Sequence, residues 1–332
     1  MPFRVAMLSF WHVHAPGYAR QFREIPDCEI SAVWDENPER GREWAEKLGV
    51  PFIPDLDAVL HRDDVDGVIV DAPSNLHAEV MVAAAQAKKH IFTEKVMALT
   101  VEECDRIAQA VRAAGVVFTI SFPARTEGRH LFAQRAIAAG WLGDITASRA
   151  RIAHTGVIDG WLPPHFLDPV SCGGGALIDL GCHPMYVTRW LLGEPARVTA
   201  RLGRFRSESV DDNAVAVIEF RSGAIGVVEA SFVARHSPST LEIFGTEGSL
   251  FAGMPGGSVW LQSRRLGPEA APGWISPSEL PRSEPSPLRQ WVASVREGRP
   301  VQYGLDEGRQ LTELMQAATL SHRTGRPVDL PL

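Results

Sequence analysis

From its start to about residue 122 the chain alternates short apolar runs with stretches of helical periodicity. Phe3–Phe10 (FRVAMLSF), Glu29–Trp34 (EISAVW), Val65–Val70 (VDGVIV), His90–Phe92 and Val116–Ser121 read as strands. Ala15–Arg23, Pro38–Leu48, Asp57–His61, His77–Ala87 and Val101–Ala114 read as the helices between them. Strands and helices in strict alternation leave few folds open, because a parallel neighbour needs a crossover and a helix supplies it. The expected class is α/β: an N-terminal, doubly wound parallel sheet over residues 1–122, followed over 123–332 by an α+β domain with a large, mainly antiparallel open sheet. In an open parallel sheet the ligand crevice lies at the carboxyl ends of the strands, where Ser9, Asp35, Pro73 and Glu94 fall.

Asp35 stands 26 residues beyond Ser9, close to where a dinucleotide-binding sheet places the acid that accepts from an adenosine ribose. That spacing favours NAD over NADP. The competing reading is a helix cap, since Asn37, Pro38 and Glu39 follow. The glycine loop expected after the first strand is missing: Ser9-Phe10-Trp11-His12-Val13-His14 carries Ser, Trp and His where G-x-G-x-x-G has its glycines. A cofactor bound here would meet side chains of Ser9, Phe10, Trp11, His12 and Val13 in place of bare backbone.

Composition narrows the ligand. At 332 residues with 45% hydrophobic and 22% charged residues, the chain is long enough for about two globular domains. The formal charge of −7 excludes a basic surface of the kind that neutralises phosphates, so a nucleic-acid partner is not expected. The four cysteines, Cys28, Cys104, Cys172 and Cys182, form no C-x-x-C pair, so they signal neither a disulfide framework nor a zinc site, and no metal is expected. No apolar run is long enough to span a bilayer and no signal peptide is evident, so a soluble, cytoplasmic protein acting on a small molecule is expected.

In the second part, Gly173–Tyr186 (GGGALIDLGCHPMY) sets Asp179 and His183 four residues apart, on one face if the segment is helical. Val157–Asp168 is irregular and aromatic, and its Trp161, His165 and Asp168 are candidate contacts to a hydroxylated ring. Arg197–Phe205, Asn213–Phe220, Ala224–Phe232 and Thr240–Phe244 read as antiparallel strands, with a short one at Val259–Gln262 inside a Gly/Pro/Ser-rich surface excursion over Pro255–Pro287. Val215, Val217, Val227 and Val228 are expected on an outer face covered by another subunit, giving a homodimer or homotetramer.

Taken together, Asp71-Ala72-Pro73-Ser74-Asn75-Leu76-His77, Glu94-Lys95, Asp179-x-x-x-His183 and the closing Gly325-Arg-Pro-Val-Asp-Leu-Pro331 resemble the Gfo/Idh/MocA oxidoreductases over nearly the whole chain. The resemblance implies a Rossmann domain, NAD or NADP, and hydride transfer at a carbon bearing a hydroxyl, usually in a sugar or cyclitol. It assigns Lys95, Asp179 and His183 to catalysis. Cofactor contacts are expected from Asp35, Arg40, Ala72, Pro73, Ser74, Asn75, His77, Glu94, Lys95 and Arg125, and substrate contacts from Lys95, Arg125, Trp161, His165, Asp179 and His183. Two departures stand out: the glycine loop is absent, and Val96 replaces the proline of the family's Glu-Lys-Pro, whose Lys-Pro bond is commonly cis. Two further functions fit the same resemblance: a redox-neutral glycosidase or lyase that retains its NAD, and a sensing regulator without turnover.

Overall fold

The computed structural model describes residues 2–253, 257–267 and 273–332. The chain separates into two compact units, Met1–Ser121 with Pro285–Thr312, and Phe122–Glu284 with Glu313–Leu332. The sequence reading draws a single boundary near residue 122, whereas the chain returns to the first unit over Pro285–Thr312.

The first unit is built from β1 (Phe3–Leu8), α1 (Ala15–Arg23), β2 (Cys28–Trp34), α2 (Pro38–Leu48), α3 (Leu56–Leu60), β3 (Gly67–Val70), α4 (His77–Gln86), β4 (His90–Thr93), α5 (Val101–Ala114) and β5 (Phe118–Ile120). All five strands are parallel and run in the order β2-β1-β3-β4-β5. Helix ends follow from local chemistry. Asn37 accepts from the N–H groups of Glu39 and Arg40 to start α2, Thr100 and Glu103 form a capping box on α5, and Gly49 and Gly115 close these helices. The return segment enters because its apolar face completes this core: Leu288, Trp291 and Val292 are buried, and Trp291 lies edge-on to Phe3 at 5.3 Å.

In the second unit α6 (Gly128–Ala138), β6 (Ile145–Ala153), α7 (Pro169–Cys172) and α8 (Cys182–Leu192) precede β7 (Pro195–Gly203), β8 (Asn213–Phe220), β9 (Ile225–Ser231), β10 (Thr240–Gly245), β11 (Gly248–Ala252) and β12 (Val259–Ser263). After α9 (Pro287–Glu297) and α10 (Leu305–Thr324), a short β13 (Val328–Asp329) closes the chain. The eight strands run β12-β11-β10-β6-β9-β8-β7-β13, and only the β6–β9 pairing is parallel. Two strands, β11 and β13, have no counterpart in the sequence reading. Of the expected excursion at Pro255–Pro287, residues 255–256 and 268–272 lie outside the described residues. Val215 is exposed on the sheet's outer face, but Val228 is fully buried. The expectation that Val227 and Val228 share a face is corrected by the strand itself, whose successive side chains point to opposite faces.

Helix α8 is entered through the three glycines singled out in the sequence. Asp211 receives the N–H groups of Gly175 (2.9 Å) and Leu177 (2.8 Å), and its carbonyl receives that of Ala176 (2.7 Å). The approach is close: a methyl group at Gly175 would stand 1.9 Å from Asp211 O, whereas one at Gly174 would meet only the Ile178 side chain at 3.2 Å. Gly175→Ala is therefore expected to lower the unfolding free energy by about 3 kcal/mol, measured by urea denaturation, and Gly174→Ala by less.

Candidate active site

In the five-stranded sheet the order of strands reverses between β1 and β3, and ligands bind open α/β sheets outside the carboxyl ends at such a switch point. Here the two strand ends are tied together: Asp71 N–H donates to Leu8 O (2.9 Å) and His12 N–H to Asp71 O (3.1 Å). The loop from Ser9 to Ala15 spends all but one of its backbone donors internally, the exception being Val13 N–H. Ser9 N–H goes to Trp34 O, Phe10 N–H to Asp35 Oδ2, Trp11 N–H to Ser9 Oγ, His14 N–H to His12 Nδ1 and Ala15 N–H to His12 O. Pro16 has none to give. Ser9 retains a left-handed backbone (φ 78°), the setting that glycine occupies freely. Ser9, Phe10, Trp11 and His12 are all buried, with Phe10 stacked on Trp44 at 4.5 Å. Expected to face a cofactor, these four side chains keep little surface to offer one. Val13 and His14 are the exposed residues of the turn.

Asp35 sits at the end of β2, as the spacing predicts, but its oxygens already accept four bonds: from Phe10 N, Asn37 N, Arg40 Nε and Arg40 Nη2. A carboxylate has about four acceptor sites, so a ribose hydroxyl reaches Asp35 only by displacing one of these donors. Arg40 also bonds Glu36.

A buried polar network lies at the ends of β3, β4 and β5. Glu94 accepts from the Tyr18 hydroxyl and lies 3.3 Å from His14 Nδ1, and Tyr18 Oη is 2.7 Å from Ser121 Oγ. Burial pushes the Glu94 carboxyl up, but the His12 and His14 rings and the Lys95 ammonium around it prevail and hold it below the usual range. Asp71, fully buried with neither oxygen hydrogen-bonded, is driven the other way, first by burial and then by the charge of Glu94. Of the two carboxyls, Glu94 carries the charge and Asp71 the proton. His12, His14 and Glu94 bring metal-ligating atoms within 4.8 Å of one another. His12 Nδ1, however, accepts the His14 N–H, which in the neutral ring puts its proton on Nε2 and leaves no lone pair there for a cation.

Lys95 is 4% exposed at the carboxyl end of β4, and the Lys95-Val96 peptide is cis. The residues that follow it are held from several directions. His77 puts Nδ1 2.8 Å from Val96 O and Nε2 3.0 Å from Ala72 O; Thr312 donates to Ala98 O at 3.1 Å; Gly308 packs against Met97. His77, expected to touch cofactor, is buried with its ring between these two carbonyls, and the neutral ring donates to one of them, so it acts as a strut between the β3 and β4 loops. Burial lowers its pKa. Ala72 and Pro73 are buried, while Ser74 and Asn75, on a 3₁₀ turn, reach solvent.

The other predicted residues belong to the second unit. Leu177–Gly181 forms a π-helical turn leading into α8. Pro184 offers no N–H to the carbonyl of Leu180 four residues back, and the wider turn lies just upstream of it. Asp179 lies in the π turn and His183 in the first turn of α8, and both are partly exposed. His183 Nδ1 lies 3.0 Å from Tyr186 Oη, which also receives the Ala124 N–H at 3.1 Å, while the Tyr186 ring stacks on Phe122 at 4.2 Å. Arg125 lies over the Trp190 ring at 4.9 Å. Sequence reasoning missed Tyr186 and also His154, at the end of β6. The pKa of His154 is lowered by burial against the opposing charge of Asp179, and its ring is flanked by Trp161 at 4.6 Å and Phe232 at 5.0 Å. Trp161 is 54% exposed. His165 packs beside Phe166, and Asp168 caps α7 through the N–H groups of Val170 and Ser171.

The protonated state of Asp71 carries a stability signature. Its folded pKa lies above its unfolded value, so the folded chain holds an extra proton between the two, and stability falls as pH rises from about 4 to the folded pKa. Asp71→Asn keeps the shape without the acid. Its stability relative to the parent is expected to increase over that same pH range and then level off, as followed by denaturant midpoints across pH.

Residues 8–122 match the family described as "Oxidoreductase family, NAD-binding Rossmann fold", and residues 130–251 match the "GFO/IDH/MocA C-terminal domain". The chain is 30% identical to the myo-inositol 2-dehydrogenase of Thermotoga maritima over 71% of each chain. It is also 30% identical to the scyllo-inositol 2-dehydrogenase (NAD(+)) of Bacillus subtilis, over 92% of this chain and 90% of that one. Among solved structures, a levoglucosan dehydrogenase in complex with NADH and levoglucosan superposes with a TM-score of 0.85 at 25% identity, covering the whole of both chains. Among the described residues no helix is long and apolar enough to cross a membrane. With both parts of its length matched in order, the chain belongs to the Gfo/Idh/MocA family of oxidoreductases.

Proposed function

We propose that the protein is a nicotinamide-dependent dehydrogenase or reductase acting on a hydroxyl-bearing carbon of a sugar or cyclitol, with NAD as the preferred cofactor and Lys95, Asp179 and His183 as its catalytic groups. The observation that carries this reading is the lysine. A nearly buried ammonium at the carboxyl end of β4 is costly to desolvate, and the residues around it are pinned by His77 and Thr312. Such a group is well suited to stabilise negative charge developing on a substrate oxygen. The inositol dehydrogenase and levoglucosan dehydrogenase relatives support the substrate class.

The residues of the crevice fit a dinucleotide at its nicotinamide end, where Ala72, Pro73, Ser74, Asn75 and Lys95 would hold it, and Asp35, on giving up one of its four donors, would meet the adenosine ribose beside Arg40. Bound there, the cofactor supplies the redox chemistry. The chain's own residues handle the proton and the orientation. His183 exchanges the proton of the reacting hydroxyl at Nε2. Tyr186 Oη, with one acceptor site filled by Ala124 N–H, retains both a proton and a lone pair for His183 Nδ1, so it supports either tautomer and either direction of reaction. Asp179 accepts from a neighbouring hydroxyl, Trp161 covers the apolar face of the ring, and Arg125 and His165 flank the substrate. The sheet of the second unit, with Val215, Ile225 and Trp260 exposed, would join copies of the chain in a homodimer or homotetramer.

The test is a panel of sugars and inositols with NAD and NADP, read by absorbance of the reduced nicotinamide. Turnover is expected, with Lys95→Ala and His183→Ala each lowering kcat by at least about 100-fold. Cofactor binding without turnover of any panel member, or full activity in both variants, would refute the reading.

A further inference from the structure

The loop after β1 raises a chemical question that the proposed function leaves open: what holds the cofactor's pyrophosphate. In a dinucleotide-binding sheet, loop N–H groups and the start of the first helix do so. Here the N–H groups of Ser9, Phe10, Trp11, His12, His14 and Ala15 are committed to protein acceptors and Pro16 supplies none, so of the loop and helix start only Val13 and Gly17 keep an amide to offer. The missing glycines are therefore more than a change of shape, because most of the donors are used up. A pyrophosphate keeps its negative charge at every pH of interest, and two amides are few to meet it, so a side-chain donor would add to them.

One side chain on the loop is placed to do this. His14 occupies the position of the last glycine, and 46% of its side chain is exposed while the rest of the turn, apart from Val13, is buried. Its Nδ1 faces Glu94 Oε2 at 3.3 Å. A carboxylate only accepts, so Nδ1 carries a proton; Nε2 is then a bare lone pair in the neutral ring and a donor only in the imidazolium. The titratable groups near this ring are Glu94 at the end of β4, His12 at 4.5 Å between ring centroids, Tyr18 on α1, and, around Glu94, Lys95 and Asp71.

Resting on the NAD reading, we propose that His14 replaces the glycine-loop amides: its imidazolium donates from Nε2 to a cofactor phosphate oxygen, with Glu94 behind it as the counter-charge. Phosphate, imidazolium and carboxylate then alternate in sign, and binding takes up a proton. No glycine loop has this dependence, because backbone amides do not titrate. NADH is the right probe, since its phosphates do not change charge over the histidine range, whereas the 2′-phosphate of NADPH does.

NADH binding to the full-length protein is followed by fluorescence and by calorimetry in buffers of different ionisation enthalpy. Affinity is expected to weaken as pH rises, with net proton uptake on binding. His14→Gln is expected to weaken NADH by about tenfold or more below neutrality and to flatten the pH profile, with an unchanged melting temperature showing that the fold is intact. ADP-ribose, which has the pyrophosphate but no nicotinamide, should show the same dependence. Undiminished affinity in His14→Gln, a flat profile in the parent, or loss of binding on adding a chelator would overturn the proposal, the last because a cation would then be the phosphate's partner. Failure of NADH and NADPH to bind the parent at any pH would instead overturn the NAD reading, and this proposal with it.

Discussion

Two carboxyl groups, buried near each other at the ends of neighbouring strands, cannot both be ionised, and the architecture of the first unit's crevice is arranged around that conflict. Glu94 keeps its charge because His12, His14 and Lys95 surround it and Tyr18 donates to it. Asp71 keeps its proton because it has no such company. Once Glu94 is charged, it requires cations around it. Lys95, next to it in sequence, and the histidine at the last-glycine position both answer that requirement. The loop substitution and the lysine are thus linked through one anion, although they lie about 80 residues apart in sequence.

The second unit solves a different problem, that of presenting an acid and an imidazole from a helix whose ladder is interrupted. Pro184 withholds an N–H, a π turn lies beside it, and Asp179 sits in that turn. Asp211 anchors the entry by taking backbone donors that no helix carbonyl can reach. His183 is steadied by Tyr186, which is itself fixed by a backbone amide and a stacked Phe122. Each element of the pair is held by groups remote in sequence, so precision at the site depends on how tightly the glycine-rich entry packs.

The parallel sheet was legible in the sequence because its strands are buried on both faces and read as continuous apolar runs, with capping signals such as Thr100/Glu103 between them. The placing of Ser9, Asp35, Pro73 and Glu94 at strand ends was legible for the same reason. Which of these side chains would be free to act was not. Asp35 and a ribose-binding acid look alike in sequence, and only the Arg40 fork and the Phe10 N–H reveal that its oxygens are occupied. His77 looked like a ligand residue, and its role as a strut depends on two carbonyls brought close by the fold. His154 and Tyr186 went unnoticed because nothing in their neighbours' sequence marks them. The signal lies in pairings across the sheet and along α8. The return of Leu288–Val292 to the first core was hidden because an amphipathic helix does not state which apolar surface it will cover.

Ser9 shows how such a turn becomes committed. Its left-handed backbone is the one a glycine would adopt without strain, and an ordinary residue pays about 1 kcal/mol to hold it. Yet its hydroxyl now receives Trp11 N–H, and the Arg40 guanidinium lies 3.5 Å away. Glycine at this one position would relax the main chain while orphaning the Trp11 amide, so ease of backbone and a satisfied donor are set against each other at Ser9.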